Sequence, residues 1–458
     1  MTRELAALQS AIDGEVLLPG SAAYEEAGRS AWAQYAHIRP VAIVRCATPA
    51  DVVEALMCAR DVGLPVAARS GGHCFAGRSS TPGILIDLGP MRSVSVADGT
   101  ATIGAGAVLG DVYDELDAHG LTIAAGSCPT VGIAGLTLGG GLGILGRRYG
   151  LTSDQLVGAQ VVLADGRVVD CDEHQDAELF WALRGGGGGQ LGVVTSFEFT
   201  TVQADDLTCF KLRWPFARAA AAIEAWQDWS PDARDELAAS LLVNAGVDRE
   251  EPTVTLFGAM LGTASETTAT LDGLMGRVGA DPASTVLEQM SHREAKRFLA
   301  DGEPWRAVLM FSKSEFFRRQ LPRDAVAALV DVFAADRAAS HSRELDFTPW
   351  GGAYNRTPAE ATAFAHRSER FLLKHAVALD PDASTGEQDT GREWLAKSWS
   401  LTHGWGSGGV FPNFPDPDLA DWATAYHGSN YERLARAKAR YDPDDVFRFP
   451  QSVRSRRP

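Results

Sequence analysis

The sequence places a histidine and a cysteine, both nucleophilic side chains, in two separate glycine-containing turns. His73 ends the stretch RSGGH (69–73), where the preceding glycines cannot pack against the imidazole and so leave it presented. Cys128 stands before a proline in AAGSCPTVG (124–132). Each has an ordinary interpretation, as a solvated histidine and as a small apolar filler. Together they are two nucleophiles that could hold one ring system at two carbons.

Three glycine-rich stretches lie within the first two hundred residues: SGGH (70–73), GIAGLTLGGGLG (132–143) and RGGGGGQLG (184–192). Glycine lets backbone N–H groups approach a ligand closely, and successive free amides form a concavity for phosphate oxygens. One such cluster alone indicates a tight turn or close packing of a sheet against a helix. Three clusters in one region favour a bound cofactor that carries phosphate.

Two familiar nucleotide-binding patterns do not account for these glycines. A Walker loop is excluded because the sequence contains no Gly-Lys-Ser or Gly-Lys-Thr. The run GLGILG (141–146) matches the bare nicotinamide fingerprint, but it lies far beyond the first strand and is followed by two arginines. The pairing of His73 with Cys128 instead points to a flavin attached at two carbons.

Alternating short strands and helices carry these turns. The predicted strands are 41–46, 65–69, 84–88 and 193–202. A helix is predicted over 48–63, with Thr48 as its N-cap and Gly63 at its C-terminal end. Asp-Gly pairs at 98–99 and 165–166 predict two hairpin turns. This alternation indicates an α+β domain.

The bulk properties narrow the class of protein. A length of 458 residues predicts two or three domains, and a formal net charge of −17 argues against a nucleic acid or an anionic membrane as partner. The six cysteines include no CxxC pair, so we expect neither a metal site nor a disulfide framework. The polar N-terminal residues do not resemble a signal peptide, and no window approaches a membrane span. These features predict a cytoplasmic protein without an obligate protein partner.

Six stretches, in a fixed order over most of the chain, resemble one protein family. They are RSGGH (69–73), AGSCPTVGIAGLTLGGGLG (125–143), RRYGLTSDQL (147–156), LFWALRGGGGGQLGVVTSFEF (179–199), AFAHR (363–367) and RLARAKARYDPDDVFRFPQS (433–452). By these stretches the chain resembles the berberine bridge enzyme-like branch of the vanillyl-alcohol oxidase superfamily, whose flavin domain is called the p-cresol methylhydroxylase type.

The resemblance implies an α+β fold in two parts. A p-cresol methylhydroxylase-type FAD-binding domain would comprise residues 1–205, with its core at about 37–203. A substrate-binding domain over 206–414 would hold a large antiparallel sheet backed by helices. The C-terminal residues, 415–458, would return to the FAD-binding domain.

The resemblance also implies FAD as a bicovalent cofactor, joined to His73 by an 8α-histidyl bond and to Cys128 by a 6-S-cysteinyl bond. The loop from Arg69 to His73 would hold the pyrophosphate, and Val194 would contact the adenosine side. The other expected FAD contacts are Ser70, Gly71, Gly72, Val131, Gly132, Gly135, Leu138, Gly139, Gly140, Gly141, Gly143, Gly192 and Asn413.

The implied reaction is the transfer of a hydride from a substrate C–H, next to oxygen or nitrogen, to the flavin, which dioxygen then reoxidises with release of H₂O₂. In many relatives a tyrosine in a YxNY stretch takes the substrate proton. The corresponding stretch here reads FPNF (411–414), and Phe414 has no hydroxyl. The usual proton acceptor is therefore missing.

Three interpretations of the reaction stay open. Another side chain, Tyr354, Asp346 or His403, could be the base; an amine could lose hydride without a strong base; or an acidic substrate could arrive ionised. Phe411 and Phe414, with Tyr354, predict an aromatic-lined substrate pocket.

The predicted function is that of an FAD-dependent oxidase acting on a small sugar, alcohol, secondary metabolite or amine. One alternative is an FAD-linked dehydrogenase that passes electrons to an acceptor other than oxygen. Another is a flavoprotein that has lost oxidase chemistry and acts as a cyclisation or binding scaffold, which the phenylalanine at position 414 favours.

Overall fold

A computed structural model describes residues 2–248, 250–300 and 307–455. The strands are β1 (Glu15–Leu17), β2 (Ala42–Arg45), β3 (Val66–Arg69), β4 (Ile84–Asp87), β5 (Val94–Ala97), β6 (Thr100–Gly104), β7 (Leu121–Thr122), β8 (Leu156–Val162), β9 (Val168–Cys171), β10 (Val193–Thr200), β11 (Val202–Gln203), β12 (Leu207–Pro215), β13 (Leu237–Ala245), β14 (Thr253–Met260), β15 (Ser284–Met290), β16 (Leu309–Phe317), β17 (His341–Pro349) and β18 (Phe371–Leu379).

The α-helices lie between and after these strands. They are α1 (Thr2–Ala11), α2 (Ala22–Ala27), α3 (Pro49–Asp61), α4 (Leu109–Asp117), α5 (Ile133–Leu138), α6 (Gly146–Tyr149), α7 (Ala177–Leu183), α8 (Ala219–Trp229), α9 (Ala264–Val278), α10 (His292–Leu299), α11 (Arg323–Ala334), α12 (Ala353–Arg356), α13 (Thr385–His403), α14 (Trp422–His427) and α15 (Tyr431–Tyr441). Short 3-10 turns occupy Ala33–Tyr35, Thr152–Gln155, Phe216–Arg218 and Gly428–Asn430.

The structure confirms the predicted helix cap and the two predicted hairpins, which depend on residues close together in the chain. Helix α3 begins with a capping box, in which the Thr48 hydroxyl accepts a hydrogen bond from the Asp51 backbone N–H. The hairpin between β5 and β6 turns at Asp98 and Gly99, whose φ angles are +51° and +76°. The second predicted hairpin joins β8 and β9.

The first part of the chain forms two sheets around one hydrophobic core. In one sheet β2, β4 and β3 run parallel, with β1 antiparallel at the edge. The other has the strand order β5-β6-β10-β8-β9. Leu434 and Tyr441 of α15 are buried in the same core, so the C-terminal helix packs onto the N-terminal sheets.

The middle of the chain forms a seven-stranded antiparallel sheet with the order β15-β12-β14-β13-β17-β18-β16. Strand β17 alternates strictly between buried and half-buried residues. Leu345 and Phe347 point into the core with the helices, where the Trp226 ring of α8 packs against Phe347. Glu344 and Asp346 therefore lie on the opposite face. The predicted fold class, a large antiparallel sheet backed by helices beside an FAD-type domain, is confirmed.

No helix within the described ranges is both long and apolar enough to cross a lipid bilayer.

A buried lysine joins the two parts of the chain. Lys296 of α10 is only 3% exposed, and its amine donates hydrogen bonds to the Ala125 carbonyl (2.7 Å) and to the Tyr113 hydroxyl (2.9 Å). Among the described residues it has no ion-pair partner. Burial lowers the pKa of Lys296 to about 7.

This amine predicts a pH dependence of stability. The unfolded lysine holds its proton up to a pKa near 10.5, whereas the folded one loses it near 7, so the free energy of unfolding should rise with pH between these values. The contribution is at most about 1.4 kcal/mol per pH unit. In Lys296→Met this rise should be absent, as measured by urea unfolding of both proteins at pH 7 to 9.5. Parallel pH profiles would contradict the assignment.

Candidate functional site

A cavity of about 1190 Å³ lies between the N-terminal sheets and the seven-stranded sheet. This is above the usual range for small-ligand sites, about 300–1,000 Å³. Its walls include parts of all three glycine-rich stretches, the segment 411–415, and Lys374 of β18. The cavity therefore has room for a large cofactor next to a smaller molecule on the sheet side.

The two predicted nucleophiles lie together on the wall of this cavity. His73 is on the loop that follows β3, and Cys128 is on the loop between β7 and α5. They are bridged by one hydroxyl: Thr130 Oγ1 is 3.0 Å from His73 Nε2 and 3.5 Å from Cys128 Sγ. The Trp32 indole donates a hydrogen bond to the His73 carbonyl at 3.1 Å. Burial lowers the pKa of His73, which favours the neutral imidazole.

The glycine loops form a cradle next to this pair. Gly71 and Gly132 approach so closely that a Cβ on Gly71 would lie 2.2 Å from the Gly132 nitrogen. Gly135 also lines the cavity, but a Cβ there would meet no atom within 4 Å. The Ser70 hydroxyl is buried in the same wall without a hydrogen-bond partner in the described structure. Exposed backbone and an unsatisfied donor fit a cofactor that carries phosphate.

The sheet side of the cavity carries an ion-pair cluster, of which the sequence analysis suggested Asp346 but not Lys374 or Glu344. Lys374 Nζ is 2.9 Å from a Glu344 oxygen, 3.6 Å from an Asp346 oxygen and 5.2 Å from the centre of the Phe414 ring. Burial acts to lower the pKa of Lys374, but the two carboxylates raise it above its ordinary value. The signal for Lys374 in the sequence was its place as a single lysine in the largely apolar strand FLLKHAVAL (371–379).

Comparison with known proteins shows which protein family has this sequence and architecture. Residues 40–172 match the family model described as FAD binding domain, and residues 410–454 match the one described as Berberine and berberine like. The chain is 30% identical over 452 residues to the uncharacterized FAD-linked oxidoreductase YvdP of Bacillus subtilis, covering 96% of this chain and 98% of YvdP. The chain belongs to the berberine bridge enzyme-like family. It is an FAD-linked oxidoreductase, and its cofactor is FAD.

Two further relatives of this oxidoreductase are oxidases. Chitooligosaccharide oxidase of Gibberella zeae is 32% identical over 462 residues, covering 95% of this chain and 91% of that one. The structure of glucooligosaccharide oxidase from Acremonium strictum superposes with a TM-score of 0.89 at 26% identity, covering 98% and 99% of the two chains. That structure is described by its 6-S-cysteinyl, 8α-N1-histidyl FAD.

Most of the residues that the sequence suggested for FAD binding or the substrate pocket line the cavity of this oxidoreductase. They are Ser70, Gly71, Gly72, His73, Cys128, Val131, Gly132, Gly135, Leu138, Gly192, Val194, Phe411, Asn413 and Phe414. Asn413 also donates a hydrogen bond to the Leu136 carbonyl at 2.8 Å and so ties the segment 411–415 to helix α5. Trp32 and Phe75, which the sequence did not suggest, stack on each other in the same wall, with ring centres 4.7 Å apart.

The structure places the side chain of Arg69, the first residue of the expected pyrophosphate loop, away from the cavity wall. Its side chain does not line the cavity, because the guanidinium donates hydrogen bonds to the carbonyls of Ala27 and Arg29 instead. These hydrogen bonds anchor the residue at which the glycine loop begins to the segment that contains Ala27 and Arg29.

Four glycines expected to contact FAD also lie outside the cavity wall, and a Cβ at each of them would lie within 3 Å of a neighbouring atom. Gly139 lies against the Asn413 amide, Gly140 against the Phe364 ring, Gly141 against Thr152, and Gly143 against the Ala125 backbone. These glycines permit close packing of the segment that follows helix α5.

Two of the three suggested bases, Tyr354 and His403, do not line the cavity and are hydrogen-bonded to other parts of the protein. Tyr354 is buried, bonds through its hydroxyl to the backbone of Gly143, and has a pKa raised by burial to about 12, so it belongs to the core and not to the substrate pocket. His403 is half exposed and bonds to Glu315 at 2.9 Å. Asp346 also does not line the cavity, but its carboxylate is 3.6 Å from the amine of a charged side chain that does, Lys374.

The open space at Gly135 leads to a prediction. In Gly135→Ala the methyl group should occupy part of the FAD cradle, and the flavin content per chain should fall at least several-fold. Because alanine favours the helix, the flavin-free protein should be more stable by about 0.5–1 kcal/mol. Flavin absorbance per protein measures the first effect. Urea unfolding of the flavin-free double variant His73→Ala, Cys128→Ala, with and without Gly135→Ala, measures the second. Equal flavin contents in the variant and the wild type would show that the cofactor does not pass over this position.

Proposed function

We propose that this chain is an oxidase whose FAD is attached to both His73 and Cys128, and that it oxidises a C–H next to oxygen or nitrogen in a small organic molecule, with dioxygen as acceptor and H₂O₂ as product. The observation that carries the proposal is the contact of one hydroxyl with both nucleophiles at the cavity wall. It is supported by the similar oxidase structure whose FAD is described as both cysteinyl and histidyl.

FAD, when bound, supplies the hydride acceptor and the route to dioxygen. The residues of this chain have to bind the substrate and take one proton from it. Phe411, Phe414 and Phe75 provide apolar surface on the substrate side of the cavity. This wall suits a planar or ring-shaped substrate with at least one apolar face.

Asp346 is the residue we propose as proton acceptor. Burial raises the pKa of its carboxyl, partly offset by the nearby Lys374 amine, and a carboxylate with a raised pKa is a stronger base. The Thr348 hydroxyl donates a hydrogen bond to the other carboxylate oxygen at 3.3 Å, which orients the group. Phe414 contributes only its ring, which lies beneath the Lys374 amine.

Lys374 is the residue we propose to hold the substrate oxygen or nitrogen. Of the three charged residues in the cluster, Lys374 is the one that lines the cavity. The two carboxylates keep its amine protonated. An ammonium group can donate one hydrogen bond to the substrate while it remains paired with Glu344. It would thereby bring the substrate's proton next to Asp346.

The test is oxygen uptake by purified, yellow protein with a panel of substrates: gluco- and chitooligosaccharides, simple alcohols, phenolic alcohols and amines. Stoichiometric H₂O₂ with any of them supports the oxidase. Reduction of an artificial dye without oxygen uptake would support the dehydrogenase alternative. Bound flavin that no member of the panel reduces under anaerobic conditions would favour the scaffold alternative, in line with the missing hydroxyl at position 414.

A further inference from the structure

The Thr130 hydroxyl contacts both of the residues proposed to bind the flavin. Thr130 and Cys128 belong to one tight turn, closed by a hydrogen bond from the Val131 N–H to the Cys128 carbonyl at 3.3 Å. The turn holds the Thr130 hydroxyl 3.5 Å from the sulfur. Its second partner, His73, comes from a loop 57 residues away in the sequence. The hydroxyl therefore links two segments that only the tertiary structure brings together.

A threonine hydroxyl has one proton to donate and two lone pairs that accept. A neutral imidazole has one N–H, and it carries its basic lone pair on the other nitrogen. Burial lowers the pKa of His73 and so favours this neutral form. A sulfur accepts a hydrogen bond best as the thiolate, which is also its nucleophilic form.

We propose that Thr130 is a positioning residue for covalent attachment of the flavin: its oxygen accepts the N–H of His73 Nε2, and its O–H donates to the sulfur of Cys128. With the two hydrogen bonds in this direction, the basic lone pair of the His73 imidazole is on Nδ1. The hydrogen bond from Thr130 also stabilises the thiolate form of Cys128. One residue thus selects the attacking nitrogen and activates the attacking sulfur. The inference rests on the proposed attachment of FAD to both residues.

The chemistry of attachment balances with dioxygen as the oxidant. Each bond replaces one hydrogen on a flavin carbon and the hydrogen of the nucleophile, N–H or S–H. The two electrons and two protons so removed reduce one dioxygen to one H₂O₂ per bond formed. Thr130 is unchanged at the end, because it only holds the nucleophiles in the protonation states that react.

The test compares Thr130→Val, Thr130→Ser and Ser127→Ala. Valine keeps the shape of threonine but has no hydroxyl, and serine keeps the hydroxyl. The alanine removes a different hydroxyl, that of the residue directly before the turn. Thr130 is exposed and Ser127 is partly exposed in the structure, so these changes leave the core intact. The proteins are sampled at intervals after synthesis is stopped. Mass spectrometry of their peptides gives the fraction attached at each site, and NMR of the isolated histidyl flavin identifies the bonded nitrogen.

We expect wild type, Thr130→Ser and Ser127→Ala to carry both bonds, with histidine bonded through Nδ1 alone. In Thr130→Val the cysteinyl bond should form about tenfold more slowly or worse, because the thiolate loses a hydrogen bond to a charged group. Its histidyl flavin should be a mixture of Nδ1 and Nε2 isomers. Attachment at wild-type rate with a single isomer in Thr130→Val would overturn the proposal for Thr130. Absence of either bond in the wild type would instead overturn the proposed function.

Discussion

Acid-precipitated wild-type protein is expected to stay yellow, and so are the single variants His73→Ala and Cys128→Ala, whereas the double variant should release its flavin into the supernatant. Either bond by itself survives denaturation, while cradle contacts are lost when the chain unfolds. The expected retention is close to one flavin per chain in the first three proteins and close to none in the fourth. Absorbance of pellet and supernatant measures this, and peptide masses locate each bond.

Cys74→Ala is the matched control for this experiment. Cys74 is a second thiol in the cavity wall, directly after His73, and no bond to it is expected. Its variant should therefore carry both bonds like the wild type. Free FAD recovered from denatured wild-type protein would count decisively against bicovalent attachment.

Asp346→Asn is expected to slow flavin reduction by about 10²–10⁴-fold, the usual contribution of a general base. Asparagine keeps the size of the side chain and a hydrogen bond from Thr348, but it cannot accept the proton of the substrate. The measurement is the rate of flavin bleaching in anaerobic stopped-flow experiments, with whichever substrate the oxygen-uptake panel identifies. Flavin content and attachment should stay at the wild-type level.

The pH dependence of that rate provides a second readout. Because burial raises the pKa of Asp346, the wild-type rate should fall as the pH drops through a value above the ordinary range for aspartate, since protonation removes the base. This acidic limb should disappear in Asp346→Asn. His403→Gln, which changes a half-exposed side chain paired with Glu315, should keep both the rate and the limb. An unchanged rate in Asp346→Asn would show that Asp346 is not the base. The substrate would then lose its proton to solvent or react in an already ionised form.

The sequence was most informative where function depends on residues close together in the chain. The glycine turns before His73 and around Cys128 were visible as short motifs, and the capping box of α3 and the Asp-Gly hairpins follow from contacts within a few residues. The missing hydroxyl at Phe414 was also evident, because it is a substitution within a short stretch.

Contacts between segments that are far apart in the sequence could not be predicted from short motifs. Arg69 turns away from the cavity because carbonyls of a different segment, Ala27 and Arg29, lie behind it. The glycines at 139–141 pack against residues supplied mainly from elsewhere in the chain. Nothing local to these residues distinguishes a glycine that borders a ligand from one that borders another side chain.

The sequence by itself therefore determined the family and the cofactor class, and it predicted the two nucleophiles, since each rests on a short motif with its own chemistry. The tertiary structure alone decided which groups lie together: it brought Thr130 against His73, and it placed Lys374 and Asp346 on neighbouring strands, with the Lys374 amine over the Phe414 ring. The physical reason is that hydrogen bonds and ion pairs act over only a few ångströms, and distance in space between remote segments is set by how the sheets and loops pack.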